Sequence, residues 1–465
     1  MKCSFLGYAC LFSALVFSTA LRRVAAQETT APTGPSPNNT NCTATTPWGA
    51  NGGYNLCPLY GGTSDPNQIF NPQGNGAGQG GLPAAISPQD PQASASGSAV
   101  SQAGFAPNFI GDNFGSGSFQ PIQVTNSHVP GSPFGQVSVP GGALGSTVAA
   151  NLGRVKLVEN FSPMPRDRVF MNYSEFNNVP LTPTGASVNR FTPGFEKTFF
   201  DGRTSVEFRL PFAGTIGNTV AQNGTFPGSF FSSDSTQLGN ATTYFKGILY
   251  RDQVTAVSGG LGVALPTAGN YTLMDQTSGQ TLLHVTNQAV HLLPFLSAVY
   301  TPNNRYFAQG LLQFDFDPNG NPVKAQDFGT APSGSLYGMG TARDANWVYT
   351  SLSTGYWIYR GQGTGRWLTG VAPMVELHCN TTTSNGQGAS GAVPGGSTQV
   401  LGGGPSYYVL NGTAGVNFLL RDQASIVVAY ATPIGSGTNQ QFSSELRVLF
   451  NWYFGGPTRQ SRVQF

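Results

Sequence analysis

Charge is scarce in this chain: 9% of its 465 residues are Asp, Glu, Lys or Arg. Between Val24 and Gly153 there is no lysine or arginine at all. A nucleic-acid surface needs clustered cations, so that partner is excluded. Long apolar runs are missing too. Past the N-terminus none reaches the ~18 residues that a transmembrane helix requires. With 62 glycines and 33 prolines, long helices of any kind are disfavoured, while turns and strands are favoured. Cysteine and histidine are few, at five and four. His128, His284, His291 and His378 show no metal-ligand spacing, there is no G-x-S-x-G element, and neither "GGLGV" nor "LGGGP" leads into the Lys-Ser/Thr of a phosphate loop. Hence no catalytic residue, metal or cofactor is expected, and the chain does not read as an enzyme.

What is present falls into compositionally distinct regions. Lys2, the apolar run Phe5–Ala20 and the small residues Val24-Ala25-Ala26 read as a signal peptide over 1–26, with Ala20 a second candidate cleavage site. Its removal leaves 19 basic against 20 acidic residues. Residues 27–103 are rich in Gly, Pro, Ser, Asn and Gln, and bury too little apolar surface to offset their conformational entropy; they read as disordered. Cys42 and Cys57 lie close together in that exported segment and are a disulfide candidate. Residues 104–165 regain aromatics and read as a periplasmic or lumen-docking segment. Cys379 falls on the apolar parity of "PMVELHC", which suggests a packed or lipid-facing thiol.

After Arg154 the dominant signal is alternation with period two. In "SVEFRLPF", Val206, Phe208, Leu210 and Phe212 oppose Ser205, Glu207 and Arg209; in "ELRVLFNWYF", Leu446, Val448, Phe450, Trp452 and Phe454 oppose Glu445, Arg447 and Asn451. One face is apolar and aromatic, the other polar and charged. Connections alternate between short and long. The short ones are Asp201-Gly202, Arg251-Asp252-Gln253, "TPNN" at 301–304, "GQGTG" at 361–365 and Arg421-Asp422-Gln423. The long, polar, Gly-rich ones run over about 214–241, 266–288, 317–346 and 380–405, followed by a shorter one at 434–441. Tight turns on one side and long loops on the other are the pattern of an up-and-down transmembrane barrel. Counting back from Ser443–Phe454 predicts about twelve strands over 166–454, with segments near 166–176, 187–200, 203–213, 243–250, 254–265, 289–300, 305–316, 347–359, 366–379, 406–420 and 424–433. An all-β antiparallel barrel is therefore expected, with a tail at 455–465.

The polar parity nominates Glu207, Arg209, Lys246, Gln309, Gln313, Asp315, Glu376, His378, Asn417, Glu445 and Arg447 as lumen-facing. At this strand number the lumen can be an open channel or a plugged one, with opposite charges paired across it. The terminal aromatics Phe450, Trp452 and Phe454 are candidates for the insertion signal read by the barrel-assembly machinery. The partners this implies are outer-membrane lipid, that machinery and a small-molecule solute; the implied location is the bacterial outer membrane. A different class also fits alternating strands: a secreted surface β-sandwich with an adhesive or structural role in the cell envelope.

Several stretches are similar to uncharacterised outer-membrane barrels of planctomycete-type bacteria: "APNFIGDNFG", "GRVKLVENFSPMPRDRVFMNYSEFNNV", "RFTPGFEKTFFDGRTSVEFRLPF" and "HLLPFLSAVYTPNNRYFAQGLLQFDFD". The piece "GGLGVALPTAG" resembles the strand-to-loop element of the outer-membrane transporter family of aromatic-degradation operons. Together they span about 104–454. The resemblance implies an outer-membrane barrel acting as transporter or channel, without catalytic residues. Barrel families usually end at the terminal aromatic, whereas here "GGPTRQSRVQF" continues past Phe454.

Overall fold

The computed structural model describes residues 106–112, 122–126, 136–139 and, apart from gaps of at most eight residues, 155–454. The signal segment 1–26, the segment 27–103 with Cys42 and Cys57, and the tail 455–465 lie outside the described residues. Within them there is no helix. Twelve antiparallel strands form one ring: β1 (Arg168–Val179), β2 (Ala186–Phe199), β3 (Thr204–Arg209), β4 (Thr242–Arg251), β5 (Thr255–Ala264), β6 (His291–Tyr300), β7 (Tyr306–Asp315), β8 (Trp347–Tyr356), β9 (Leu368–Thr382), β10 (Tyr408–Leu420), β11 (Ala424–Pro433) and β12 (Ser444–Tyr453). Each pairs with the next, and β12 returns to β1, from Ser444 opposite Asn177 to Tyr453 opposite Arg168. A closed ring has no free edge and only one sheet, so the surface β-sandwich is excluded.

The alternation predicts these strands because side chains on a strand point to opposite faces. In β12, Glu445, Arg447, Leu449, Asn451 and Tyr453 are buried inside, while Leu446, Phe450 and Trp452 are exposed outside. At the short-turn end the exposed aromatics Phe199, Phe200, Tyr300, Tyr306, Tyr356, Trp367 and Trp452 ring the barrel; Val169, Phe245, Val375 and Val428 continue the outer apolar face. This matches the requirement of a lipid-facing surface with an interfacial aromatic girdle.

Two expectations need correction. The predicted strand 203–213 is interrupted: β3 stops at Arg209, Leu210 donates to Pro193 O (3.1 Å), and Phe212–Ile216 pairs again with β2. Pro211 has no N–H for the ladder, so pairing breaks there and resumes beyond it. The long connections are not simply polar loops. Strands at 337–342, 321–325, 281–285, 271–275, 219–223 and 229–231 form a separate six-stranded sheet at the long-loop end. Its Tyr271, Leu273, Leu283, Val285, Val323 and Met339 join Phe176 and Val188 of the barrel in one apolar cluster. Their spacing is short and interrupted by Gly and Asn, which hides the pattern in the sequence.

The two Arg-Asp-Gln triplets both close tight hairpins, yet by different means. At the first, Asp252 Oδ1 accepts from Val254 N (2.8 Å) and Thr255 N (2.6 Å), the local hydrogen-bonding role expected of an aspartate in a turn. At the second, Arg421 and Asp422 both adopt left-handed backbone, φ 49° and 54°, and the Arg421 guanidinium lies 4.0 Å from the Trp367 ring centroid. Consecutive left-handed residues are the geometry for which Asn-Gly is preferred. Opposite responses to one substitution are therefore expected. Asp422→Gly relieves left-handed strain and raises stability by about 1 kcal/mol. Asp252→Gly removes two hydrogen bonds to a carboxylate and lowers it by about 1–2 kcal/mol. Urea unfolding of the two variants in lipid vesicles checks the signs.

A plugged lumen as the candidate functional site

All eleven nominated lumen residues are buried: Glu207, Arg209, Lys246, Gln309, Gln313, Asp315, Glu376, His378, Asn417, Glu445 and Arg447. They do not surround one another alone. Two segments of the chain's own N-terminal region, 106–112 and 155–165, run inside the ring. Their order along the barrel follows from their contacts. Ala106 O accepts from Arg166 Nη2 (2.8 Å) near the short-turn end, the Ile110 and Gly111 amides meet β9 at mid-height, and Asp112 meets Asn380 and Asn411 toward the long-loop end. Beyond it, the strand at 122–126 pairs with one at 136–139 and with 396–401, which belongs to a long connection. The chain then re-enters at Val155, whose carbonyl accepts from Tyr244 OH (2.8 Å), and descends to β1. The plug thus threads the lumen twice, and Phe109 N donates to Phe161 O (2.8 Å) between its two passes.

Part of the lumen is charged. Glu159 Oε2 accepts from Arg190 Nη2 (2.7 Å) and Arg447 Nη2 (2.9 Å). Arg209 donates to the carbonyls of Lys156 (3.0 Å) and Leu157 (3.1 Å), and pairs with Glu207. Arg168 spans Glu196 (2.9 Å), Glu207 (3.0 Å) and the carbonyl of Asn160 (2.7 Å). Lys246 Nζ donates to Ser162 O (2.7 Å) and lies 2.8 Å from Glu196 Oε1. Glu376 receives two successive amides, Ile110 N and Gly111 N, each at 2.8 Å. Gly111 has φ +88°, and a Cβ there would come within 2.9 Å of the Glu159 backbone, so only glycine brings the two passes this close. Asp112 pairs with Lys156 and accepts from Asn411 Nδ2 (2.6 Å); His378 lies between it (3.4 Å) and Glu376 (3.2 Å). Gln309 and Gln313 bond the plug backbone at Pro107 O and Leu157 N, both 2.9 Å.

Apolar contacts fill the rest of the lumen, partly from the same strands. Phe109, Leu157, Val158 and Phe161 of the plug pack on Tyr244, Leu293, Phe295 and Leu311; Ala106, Ile110 and Met164 pack on Val299, Phe307, Met374 and others. The inward parity of β6 carries Leu293, Phe295 and Val299. An inner face that is polar throughout, as the alternation suggests, is therefore corrected: where the plug presents apolar side chains, the barrel does too. The glycines of "GGLG" explain how the rings fit. A Cβ at Gly262 would lie 2.4 Å from the Tyr244 ring, and one at Gly260 2.8 Å from the Phe295 ring.

At the short-turn seam, Asp167 accepts from Thr198 N (2.6 Å) and Lys197 Nζ (2.9 Å). Burial alone would raise its carboxyl, but these bonds hold it below the usual carboxylate range. Of the proposed insertion residues, Phe450 and Trp452 face outward, and Phe454 is half-buried with Lys197 Nζ 5.6 Å from its ring centroid. Cys379 is a buried thiol on the outward parity of β9, 3.7 Å from Thr381 Oγ1.

No family model matches the chain, and no curated protein matches its sequence. The two family resemblances read from short stretches therefore gain no support at the level of sequence. Among solved structures, the β-domain of the Bordetella autotransporter BrkA is 13% identical over 62% of this chain and all of that one, with TM-score 0.38. An outer-membrane channel from Pseudomonas putida F1 is 11% identical over 63% of this chain and 96% of its own, with TM-score 0.37. The Pseudomonas putida toluene transporter TodX is 9% identical over 75% and 99%, with TM-score 0.35. Similarity this low says nothing about cargo.

Proposed function

We propose that this chain is an outer-membrane channel or transporter for small solutes whose lumen is occupied by its own N-terminal segment. The observation that carries the reading is the pairing of a lipid-suited outer face with a lumen filled by a separate chain segment. A barrel with only a structural role at this size can fill its interior with strand side chains. Here the filling is held largely by polar bonds, which water or a polar solute can replace. The lumen's charged and apolar patches suit a small amphipathic solute. The short-turn end faces the periplasm in this reading, because long loops lie outside in such barrels. Phe450, Trp452 and Phe454 serve as the signal read by the assembly machinery.

Planar-bilayer recording tests the reading. The refolded full-length chain is expected to give brief, discrete current steps, and Glu159→Gln combined with Glu376→Gln is expected to lengthen them by loosening the plug. A heat-modifiable, folded barrel that stays silent and solute-tight in both forms would overturn it.

A further inference from the structure

A second buried cluster lies at the long-loop end, apart from the residues that hold the plug. His291 opens β6, Asp315 closes β7, and Asp317 and Asp344 flank the connection from β7 to β8. All four are more than nine-tenths buried. One ligand atom each from His291, Asp317 and Asp344 lie within 4.8 Å of one another. His291 Nδ1 is 2.8 Å from Asp315 Oδ1, and Nε2 is 3.9 Å from Asp344 Oδ2. A proton on Nδ1 shared with Asp315 leaves the Nε2 lone pair on the side of Asp344. A carboxylate behind the far ring nitrogen is the usual support of a metal-ligating histidine. Asp317 is itself held in place, accepting from Gly320 N (2.7 Å) and Asp344 N (2.9 Å).

Charge supplies an independent argument. Among the described buried residues, the cations Lys156, Arg168, Arg190, Arg209, Lys246 and Arg447 are matched in number by the carboxylates Asp112, Glu159, Glu196, Glu207, Glu376 and Glu445. Asp315, Asp317 and Asp344 are three further buried carboxylates, gathered around His291. Concentrated anionic charge at a buried site is costly and is relieved by a bound cation.

We propose that His291, Asp317 and Asp344 bind one divalent first-row transition cation, with Asp315 positioning the imidazole. One nitrogen with two carboxylates suits Zn²⁺ or Mn²⁺ better than Ca²⁺, which prefers an all-oxygen shell. In a tetrahedral zinc site neighbouring ligand atoms are about 3.4 Å apart, so the 3.9 Å separation closes with a small rotation of either side chain. The ion would tie both ends of the connection 317–344 to β6, and so fasten the two strands of the six-stranded sheet that this connection carries. On the plug side, a cavity of about 10 Å³, room for roughly one water, borders His291, Asp315, Lys156 and Tyr349. This inference does not depend on solute passage.

Calorimetric titration of the chelator-treated, refolded full chain tests it. One Zn²⁺ per chain is expected, together with a higher melting temperature. His291→Gln and Asp344→Asn should each weaken binding more than about a hundredfold, and Asp315→Asn by about ten- to a hundredfold. Zn²⁺ binding that is absent, or unchanged in His291→Gln and Asp344→Asn, would overturn the site; Ca²⁺ binding as tight as Zn²⁺ would overturn the class of ion. Should the variants fail to fold, Co²⁺ added to the wild-type chain decides the matter. Visible absorption bands of mixed N/O ligation support the site, and their absence refutes it.

Discussion

Glu159→Ala is expected to cost about 3–5 kcal/mol, the usual penalty for breaking a buried ion pair from one side. The Glu159 carboxylate is the point at which the plug meets two strands, since Oε2 takes one N–H from Arg190 on β2 and one from Arg447 on β12. Both guanidiniums are fully buried. Without the carboxylate they face each other with Glu445 as the nearer counter-charge of Arg447, at 3.2 Å. Two like charges in a low-dielectric interior repel strongly, and water must enter or the plug must move. The double variant Glu159→Ala/Arg190→Met removes charge of both signs, so it should recover part of the loss. Urea unfolding in lipid vesicles, followed by tryptophan fluorescence, measures both. A single-variant loss under about 1 kcal/mol would mean that water already screens the pair, as at a surface bridge, and that the plug is not latched there.

Gly262→Val should produce the other large effect, and by overpacking. The added Cβ falls 2.4 Å from one Tyr244 ring carbon and 3.0 Å from Leu293 Cβ. A ring cannot bend away, so Tyr244 must change rotamer. It then loses its hydrogen bond to Val155 O and its edge contact with Phe295, whose ring in turn meets Phe161 of the plug at 5.7 Å between centroids. Overpacking alone costs about 1–3 kcal/mol, and a buried carbonyl without its donor adds about 1–3 kcal/mol. The same assay should also show the plug loosened, as faster labelling of a cysteine placed at Phe161. Gly247→Ala serves as the control, because a Cβ there has ordinary 3.7 Å contact with Thr204 and should change little. Equal effects of the two variants would argue against the ring-accommodation account.

The sequence by itself determined the barrel. Period-two alternation, an even strand count and the contrast between short and long connections all report on lipid outside and protein inside, and each is local enough to read along one strand. Glu207, Arg209, Glu376 and Arg447 could be assigned to a face for the same reason. Only the tertiary structure decided what fills that interior. Residues 106–112 and 155–165 carry no strand period, because they bond to side chains reaching in from strands all around the ring rather than to one ladder. The apolar part of the lumen was illegible as such. Leu293, Phe295 and Val299 look in the sequence like any outward-facing residues, yet they face inward, where the plug covers the first two with Phe109, Leu157 and Phe161 and the third with Ala106, Ile110 and Met164. The long connections hid a sheet because their strands are short and gain a core only against one another and the end of the barrel. His291, Asp317 and Asp344 have no ligand-like spacing, since three different strand ends bring them together. Sequence periodicity records which medium a strand faces; which distant segment supplies that medium is set by the closed ring that forces them into one volume.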